Sequence, residues 1–193
     1  MDLRTEKTER SILNAFIGLR AQKPLEKITV KELCEKAWIN KSTFYAHYTD
    51  LYDLSDRVEA GVVKSILENI PHPEYLFIKP REFTRELHAA YGSQGALLGI
   101  LFSGAQSGKL IGRLERDLKT MIFDACPQYR EDPAAGILFS YGVYGGYYAL
   151  TSNRDCSEDE ILEIIGEAAQ RIAGMLRQPD QSALAGAPPI GRG

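Results

Sequence analysis

The chain is poor in the features that staple, metallate or anchor a protein. Only three of its 193 residues are cysteine. Cys34, Cys126 and Cys156 stand far apart, in no spacing that would hold zinc or frame a set of disulfides. Reduced and mostly buried thiols are expected. No apolar run approaches the roughly 20 residues needed to cross a bilayer; the longest is Gly95–Phe102. The first ten residues are charged and lack the apolar core of a signal peptide. A cytoplasmic protein with no membrane partner is therefore expected. There is no Gly-rich phosphate loop, no GxSxG elbow and no HExxH pair. Cys34 and His47 make no nucleophile pair, because Cys34 falls on the apolar face of its helix. An enzyme, a cofactor and a metal are accordingly not expected. No segment reads as a strand, and no internal repeat is found.

Charge excludes less. The net charge of −3 argues against broad coating of nucleic acid. Residues 1–57 hold ten Lys/Arg and nine Asp/Glu, and the remainder thirteen and seventeen. A near-neutral amino-terminal part can still bind DNA if its cations share one face.

What the sequence does contain is helical spacing, with start and stop signals. Ile12, Leu13, Phe16 and Leu19 give a stripe to a helix over Thr8–Ala21, ended by Lys23-Pro24-Leu25. Thr29 three residues before Glu32 is a capping-box pattern. Val30, Leu33, Cys34 and Ala37 then share one face. Ala37-Trp38-Ile39 forms a turn, and Asn40 is a favoured N-cap for a short helix over Lys41–Tyr48. In that helix Phe44 and Tyr48 face inward with Ile39. Ser42 and Tyr45 lie on the opposite face, with Lys41, Thr43, Ala46 and His47 near its edges. Two helices joined by a tight turn can place the second in the major groove of DNA, and the backbone amides at its start favour phosphate beside Lys41 and Ser42.

Residues 28–48, and Thr-Phe-Tyr-Ala-His-Tyr at 43–48 above all, resemble the tetracycline-repressor (TetR) family of transcription regulators. The likeness covers residues 5–60. It implies a three-helix helix-turn-helix head at 1–50 whose third helix reads bases. It places DNA contacts at Lys31 on the second helix and at Thr43, Tyr45 and His47 on the third, with Phe44 in the core; Thr29, Lys41 and Ser42, at the starts of these helices, are further candidate DNA contacts. It also implies a near-palindromic operator bound by a homodimer, with repression relieved by a small molecule. Two positions depart from the pattern. The family's turn commonly has Gly where this chain has Trp38, so either Trp38 is held left-handed or the turn is built differently. Leu51 stands where the family commonly has Lys, so one phosphate contact is missing.

A helical body over 51–178 completes the expected all-α architecture. Thr49-Asp50 can cap a linking helix over 51–70. A loop with three prolines follows at 71–80. Pro80 opens a helix carrying Phe83, Leu87 and Tyr91. Gly95–Ala105 is apolar nearly all round, which predicts a buried helix. Further helices are expected over Gly108–Ala125, from Pro133 to Thr151, and from the Ser157/Glu160 capping box to Arg177. The tail at 179–193 is expected to be disordered.

Two body features suggest partners. Ile161, Ile165, Ala168, Ile172 and Met175 form a packing seam, which the resemblance reads as a dimer interface and which spacing alone equally allows as the chain's own core. Gly142, Gly145 and Gly146 cost roughly 1 kcal/mol each against Ala inside a helix, which suggests close approach by another helix or a ligand. The aromatic set Tyr91, Phe102, Phe139, Tyr141, Tyr144, Tyr147 and Tyr148 reads as core packing or as the wall of a pocket for an apolar or aromatic effector. Tyr91, Phe102, Tyr144 and Tyr148 are the candidate walls. A protein-binding adaptor, with DNA binding auxiliary or lost, is the other function class that the sequence allows.

Overall fold

The computed structural model describes residues 3–103, 108–153 and 155–176. Its regular elements are helical, in the order α1 (Leu3–Arg20), α2 (Val30–Ala37), α3 (Lys41–His47), α4 (Leu51–Glu68), α5 (Tyr75–Ile78), α6 (Pro80–Gly92), α7 (Gly95–Leu101), α8 (Lys109–Ala125), α9 (Pro133–Ser152) and α10 (Glu158–Ala173). Single 3-10 turns stand at Leu25–Lys27 and Pro127–Tyr129. The chain is all-α. The tail expected to be disordered lies outside the described residues.

Helix starts follow their caps. Asn40 accepts from the Thr43 N–H, Asp50 from those of Tyr52 and Asp53, and Asp132 from that of Ala134. Ser157 and Glu160 form the complete reciprocal box. Two expectations fail for physical reasons. The proline-rich loop contains the one-turn helix α5, too short for its period to show in the sequence. The helix α7 is not buried all round: Leu98 and Leu101 are buried while Gly95, Ala96 and Gly99 are exposed. Composition alone counts glycine as apolar, but a side chain of one hydrogen gives burial little to gain.

Contacts divide the chain into two compact units, Met1–Pro71 with Leu87–Leu118, and His72–Glu86 with Lys119–Gly193. The first unit buries Ile12, Phe16 and Leu19 of α1 with Leu33 and Ala37 of α2, Phe44 of α3, and Leu54 and Val58 of α4. Arg20, at the end of α1, is 3% exposed. Its Nη2 donates to the carbonyls of Ile100 (3.1 Å) and Leu101 (2.7 Å), and its Nη1 to that of Lys23 (3.4 Å). Carbonyls at the end of α7, which no helical N–H can satisfy, thus take a charged donor from α1. On α4, buried Glu59 accepts from Ser55 Oγ (2.8 Å) and lies 3.8 Å from Arg113 Nη2 of α8.

The second unit is built on stacked aromatics. Phe77 lies on Tyr129 at 3.9 Å between centroids, and Phe123 stands 5.9 Å from Phe139. Arg81 and Arg85 of α6 both pair with Glu163 of α10. Arg81 Cγ stands 3.4 Å from where a Cβ on Gly166 would be.

The turn between α2 and α3 resolves the question of Trp38. Its φ of 57° and ψ of 42° are left-handed, and it is the one non-glycine with positive φ among the described residues. Trp38 N–H bonds to Glu35 O (3.3 Å) and Ile39 N–H to Cys34 O (3.0 Å), the paired bonds that close a helix when the residue between them is left-handed. Ser11 Oγ of α1 satisfies the neighbouring Ala37 carbonyl at 2.8 Å. Holding an L-residue left-handed costs about 1–2 kcal/mol, and the indole, 94% exposed, returns no packing to offset it.

Arg20 yields a stability prediction. Arg20→Met keeps the apolar stem but leaves the buried Leu101 carbonyl without its charged donor, while the Ile100 carbonyl still accepts from Ser103 Oγ at 3.0 Å. A loss of about 2–3 kcal/mol is expected, which for a chain of this size lowers the melting temperature by roughly 4–12 °C. Thermal unfolding followed by circular dichroism measures it, and a variant melting within 1–2 °C of wild type contradicts the assigned role.

Candidate nucleic-acid interface

Helix α3 has seven residues and buries one side chain fully. Phe44 is 0% exposed; its ring stands 5.8 Å from that of Tyr48, which caps the end of the helix, and 5.3 Å edge-on to that of Tyr45. With Phe44 inward, Lys41, Ser42, Tyr45 and Ala46 are exposed. Tyr45 is 55% exposed and points a phenol donor outward.

The polar residues are less free than their exposure implies. Asn40 Oδ1 accepts three bonds, from Thr43 N (2.7 Å), Ser42 Oγ (2.7 Å) and Thr43 Oγ1 (2.9 Å). Both hydroxyl hydrogens are thereby committed, so Ser42 and Thr43 offer lone pairs outward. A phosphate, which accepts only, must be met by the Lys41 ammonium, the Tyr45 hydroxyl and the orphan N–H groups of the first turn. Thr29 is spent as the N-cap of α2, accepting from Glu32 N at 3.2 Å. The other half of the expected box is absent, because Glu32 turns to Lys23 Nζ at 2.5 Å. Lys31 is exposed and loosely paired with Glu35 at 3.9 Å.

His47 differs from its expected outward position. Its side chain is 17% exposed, and Nδ1 lies 3.4 Å from Glu9 Oε1 of α1. The imidazole bridges α3 to α1, so it orients the helix at least as directly as it faces solvent. Glu9 lies too far from His47 in sequence for any local pattern to show this. Leu51, the first residue of α4, is buried. The position where the resemblance expects Lys is therefore core, and exposed Tyr52 stands beside it. Arg57 is not available either: it forks onto Asp53 at 2.9 and 3.1 Å and lies 5.2 Å over the Tyr48 ring. The Thr49 backbone N–H, and then Arg57, hold the Asp53 carboxyl below its usual range. Burial pushes the Cys34 thiol up, against a smaller opposing pull from Lys41, so it resists thiolate chemistry.

The body candidates are not one constellation. Half-buried Tyr91 and buried Phe102 belong to the first unit, Tyr144 and Tyr148 to the second. The last two lie on a stripe of α9 that also carries Ile137 and Tyr141, and all four are exposed. Their spacing of four, three and four residues was visible in the sequence; their common exposure was not. The α10 seam splits. Ile161 is buried, and Ile165 Cγ2 stands 3.6 Å from the Cβ position of Gly146 on α9, whereas Ala168 and Met175 are exposed and Ile172 is half-buried. Exposed Ile164 joins the outward set. No heavy atom of the described residues lies within 4 Å of the Cβ positions of Gly142 and Gly145, so none of these residues is a neighbour that needs them. Among the described residues no group of three or more His, Cys, Asp or Glu is placed to hold a metal, and no helix is long and apolar enough to cross a membrane.

No protein-family model matches the chain, and no solved structure matches it. The chain is similar to the uncharacterized HTH-type transcriptional regulator YxbF of Bacillus subtilis (strain 168), with 24% identity over 83 residues. That stretch is 41% of this chain and spans 22% of the length of that protein. The likeness is thus to a minor part of a helix-turn-helix-type regulator of transcription.

Proposed function

We propose that the chain is a sequence-specific DNA-binding regulator of transcription, with α3 as the reading helix. The observation that carries this is the division of α3: Phe44 is wholly buried, while the opposite face presents Lys41 and Tyr45 beside the capped start of the helix. A helix serving only to pack does not need an outward tyrosine and lysine on its first two turns. The similarity to an HTH-type regulator points the same way. Within this reading the protein is a TetR-like repressor that binds a near-palindromic operator as a homodimer, one head per half-site. His47 acts chiefly by fixing α3 against Glu9. A protein-binding adaptor is the reading that replaces it if no duplex binds.

The second copy is assigned to the exposed face of the second unit. Ile137, Tyr141, Tyr144 and Tyr148 form an apolar stripe, and Ile164 and Met175 add to the exposed apolar surface of this unit. Glycines at 142 and 145 leave room for a helix of another molecule to approach. The effector is read as an apolar or aromatic small molecule that binds one head spacing better than the other, with Tyr91 and Phe102 kept as its candidate wall, while Tyr144 and Tyr148 go to the second copy.

The central test selects duplexes from a random-sequence library with the full chain. Tyr45→Ala and Lys41→Ala are expected to weaken binding of the selected duplex. For Tyr45, a base contact, the loss is about 1–3 kcal/mol; for Lys41, a phosphate contact, it is uniform across sequences, with a salt slope shallower by about one. Unchanged melting temperatures exclude unfolding. If both variants bind like wild type in a salt-matched titration, α3 is not the reading helix.

The dimer assignment separates two substitutions. Tyr141→Asp places a charge on the exposed stripe and should yield a folded monomer in sedimentation velocity. Ile165→Asp faces Gly146 inside the chain and should lower the melting temperature whether or not a dimer forms. A folded dimer from Tyr141→Asp moves the interface elsewhere.

For the effector, a screen of aromatic and apolar molecules should find one that raises the melting temperature and weakens duplex binding reciprocally. A ligand that stabilises the protein without changing duplex affinity removes the regulatory role assigned to it.

A further inference from the structure

Trp38 is held left-handed and lies almost wholly in solvent. The backbone bonds of the turn and the Ser11 bond to Ala37 O hold the strain in place, while the ring itself is left turned to solvent with no packing to show for it. Beside the ring runs an open groove of about 510 Å³, lined by Leu3, Lys7, Thr8 and Ser11 of α1 and by Ala37, Trp38 and Ile39 of the turn.

We propose that this groove, with Trp38 as its wall, is a second DNA contact that grips the sugar–phosphate backbone at the flank of the α3 face. The proposal rests on the DNA-binding reading above. Three observations select DNA backbone as the occupant. Among the described residues, Lys7 is the one charged residue on the wall and no carboxylate lines the groove, so the described wall is complementary to an anion. The available donors suit an acceptor-only group. The indole Nε1–H has no bond to lose at this exposure, and Lys7 adds an ammonium, whereas the Ser11 hydroxyl is already committed to Ala37 O. Last, the groove's wall leads directly in sequence into the reading helix, since Trp38 is two residues before the Asn40 cap and three before Lys41. A phosphate met by Lys7 and the indole N–H would lie along a strand whose sugar edge packs on the apolar indole face. Strand contacts of this kind set register and orientation without reading sequence.

Trp38 is the one tryptophan of the chain, so its emission reports this site alone. The test titrates a duplex selected from a random-sequence library into the full chain, with labelled-duplex anisotropy as an independent measure of binding. The contact predicts that the emission shifts to the blue or is quenched as the duplex saturates, and that acrylamide quenching falls. It also predicts that Trp38→Gly weakens binding about five- to thirty-fold, the span of a one- to two-unit contact, without lowering the melting temperature. Lys7→Ala should weaken binding and make its salt dependence shallower. If the duplex binds while emission and acrylamide access stay as in the free protein, and Trp38→Gly binds as tightly as wild type, the contact is overturned and the DNA-binding reading stands. If the emission changes only as the protein is concentrated without DNA, the groove belongs to a second copy of this chain and DNA backbone is the wrong occupant. If no duplex is selected, the DNA-binding reading fails, and this contact with it.

Discussion

A seven-residue helix cannot stand by its own hydrogen bonds. Nucleating a turn is unfavourable, and isolated helices of this length are not stable in water. The direction of α3 therefore depends on what holds it at three points. Phe44 is buried completely, which is worth roughly 1.5–3 kcal/mol. Asn40 caps the start, about 1 kcal/mol more. The left-handed turn at Trp38 closes α2 and fixes the angle at which the chain enters α3. Every outward residue of the candidate interface takes its position from these three, with His47 and Glu9 adding a tie to α1 at the far end.

The same region shows how a near-neutral segment can present a cationic face. Lys31 pairs with Glu35, Lys23 with Glu32, and Arg57 with Asp53. These pairs use up charge locally, and exposed pairs of this kind add little to stability. The cations that remain to shape the face are few, and Lys41 at the start of α3 is placed where the helix amides already favour an anion. For the DNA contact proposed, such a surface gathers few phosphates, so hydrogen bonding and fit carry more of the binding than counterion release does.

Local chemistry was readable; direction at a distance was not. The caps at Asn40, Asp50, Asp132 and Ser157 each follow from one side chain and the amides two or three residues on, and the helix starts fall where those residues place them. The inward position of Phe44 follows from helical spacing. Trp38 could not be decided, because the same residues fit a strained turn or a different one, and only the bonds from residues 38 and 39 back to Glu35 and Cys34 distinguish them. The direction of His47 depends on Glu9 of another helix. The one-sided burial of α7 depends on which face other helices cover, and the split of the α10 seam depends on where α9 lies. The Tyr stripe on α9 was regular in spacing, but spacing is blind to whether the covering surface belongs to the same molecule.

The bond between Arg20 and Leu101 joins residues 81 positions apart. A ribosome adds about 5–20 residues per second, so the guanidinium waits roughly 4–16 s for its acceptor to be made. Throughout that interval the end of α1 carries a charge destined for the interior and still unable to enter it. The amino-terminal helices can form their turns and caps as they emerge, but their packing is completed only from a later part of the chain. Synthesis order, rather than local helix strength, thus sets when the junction of α1 with α7 is complete.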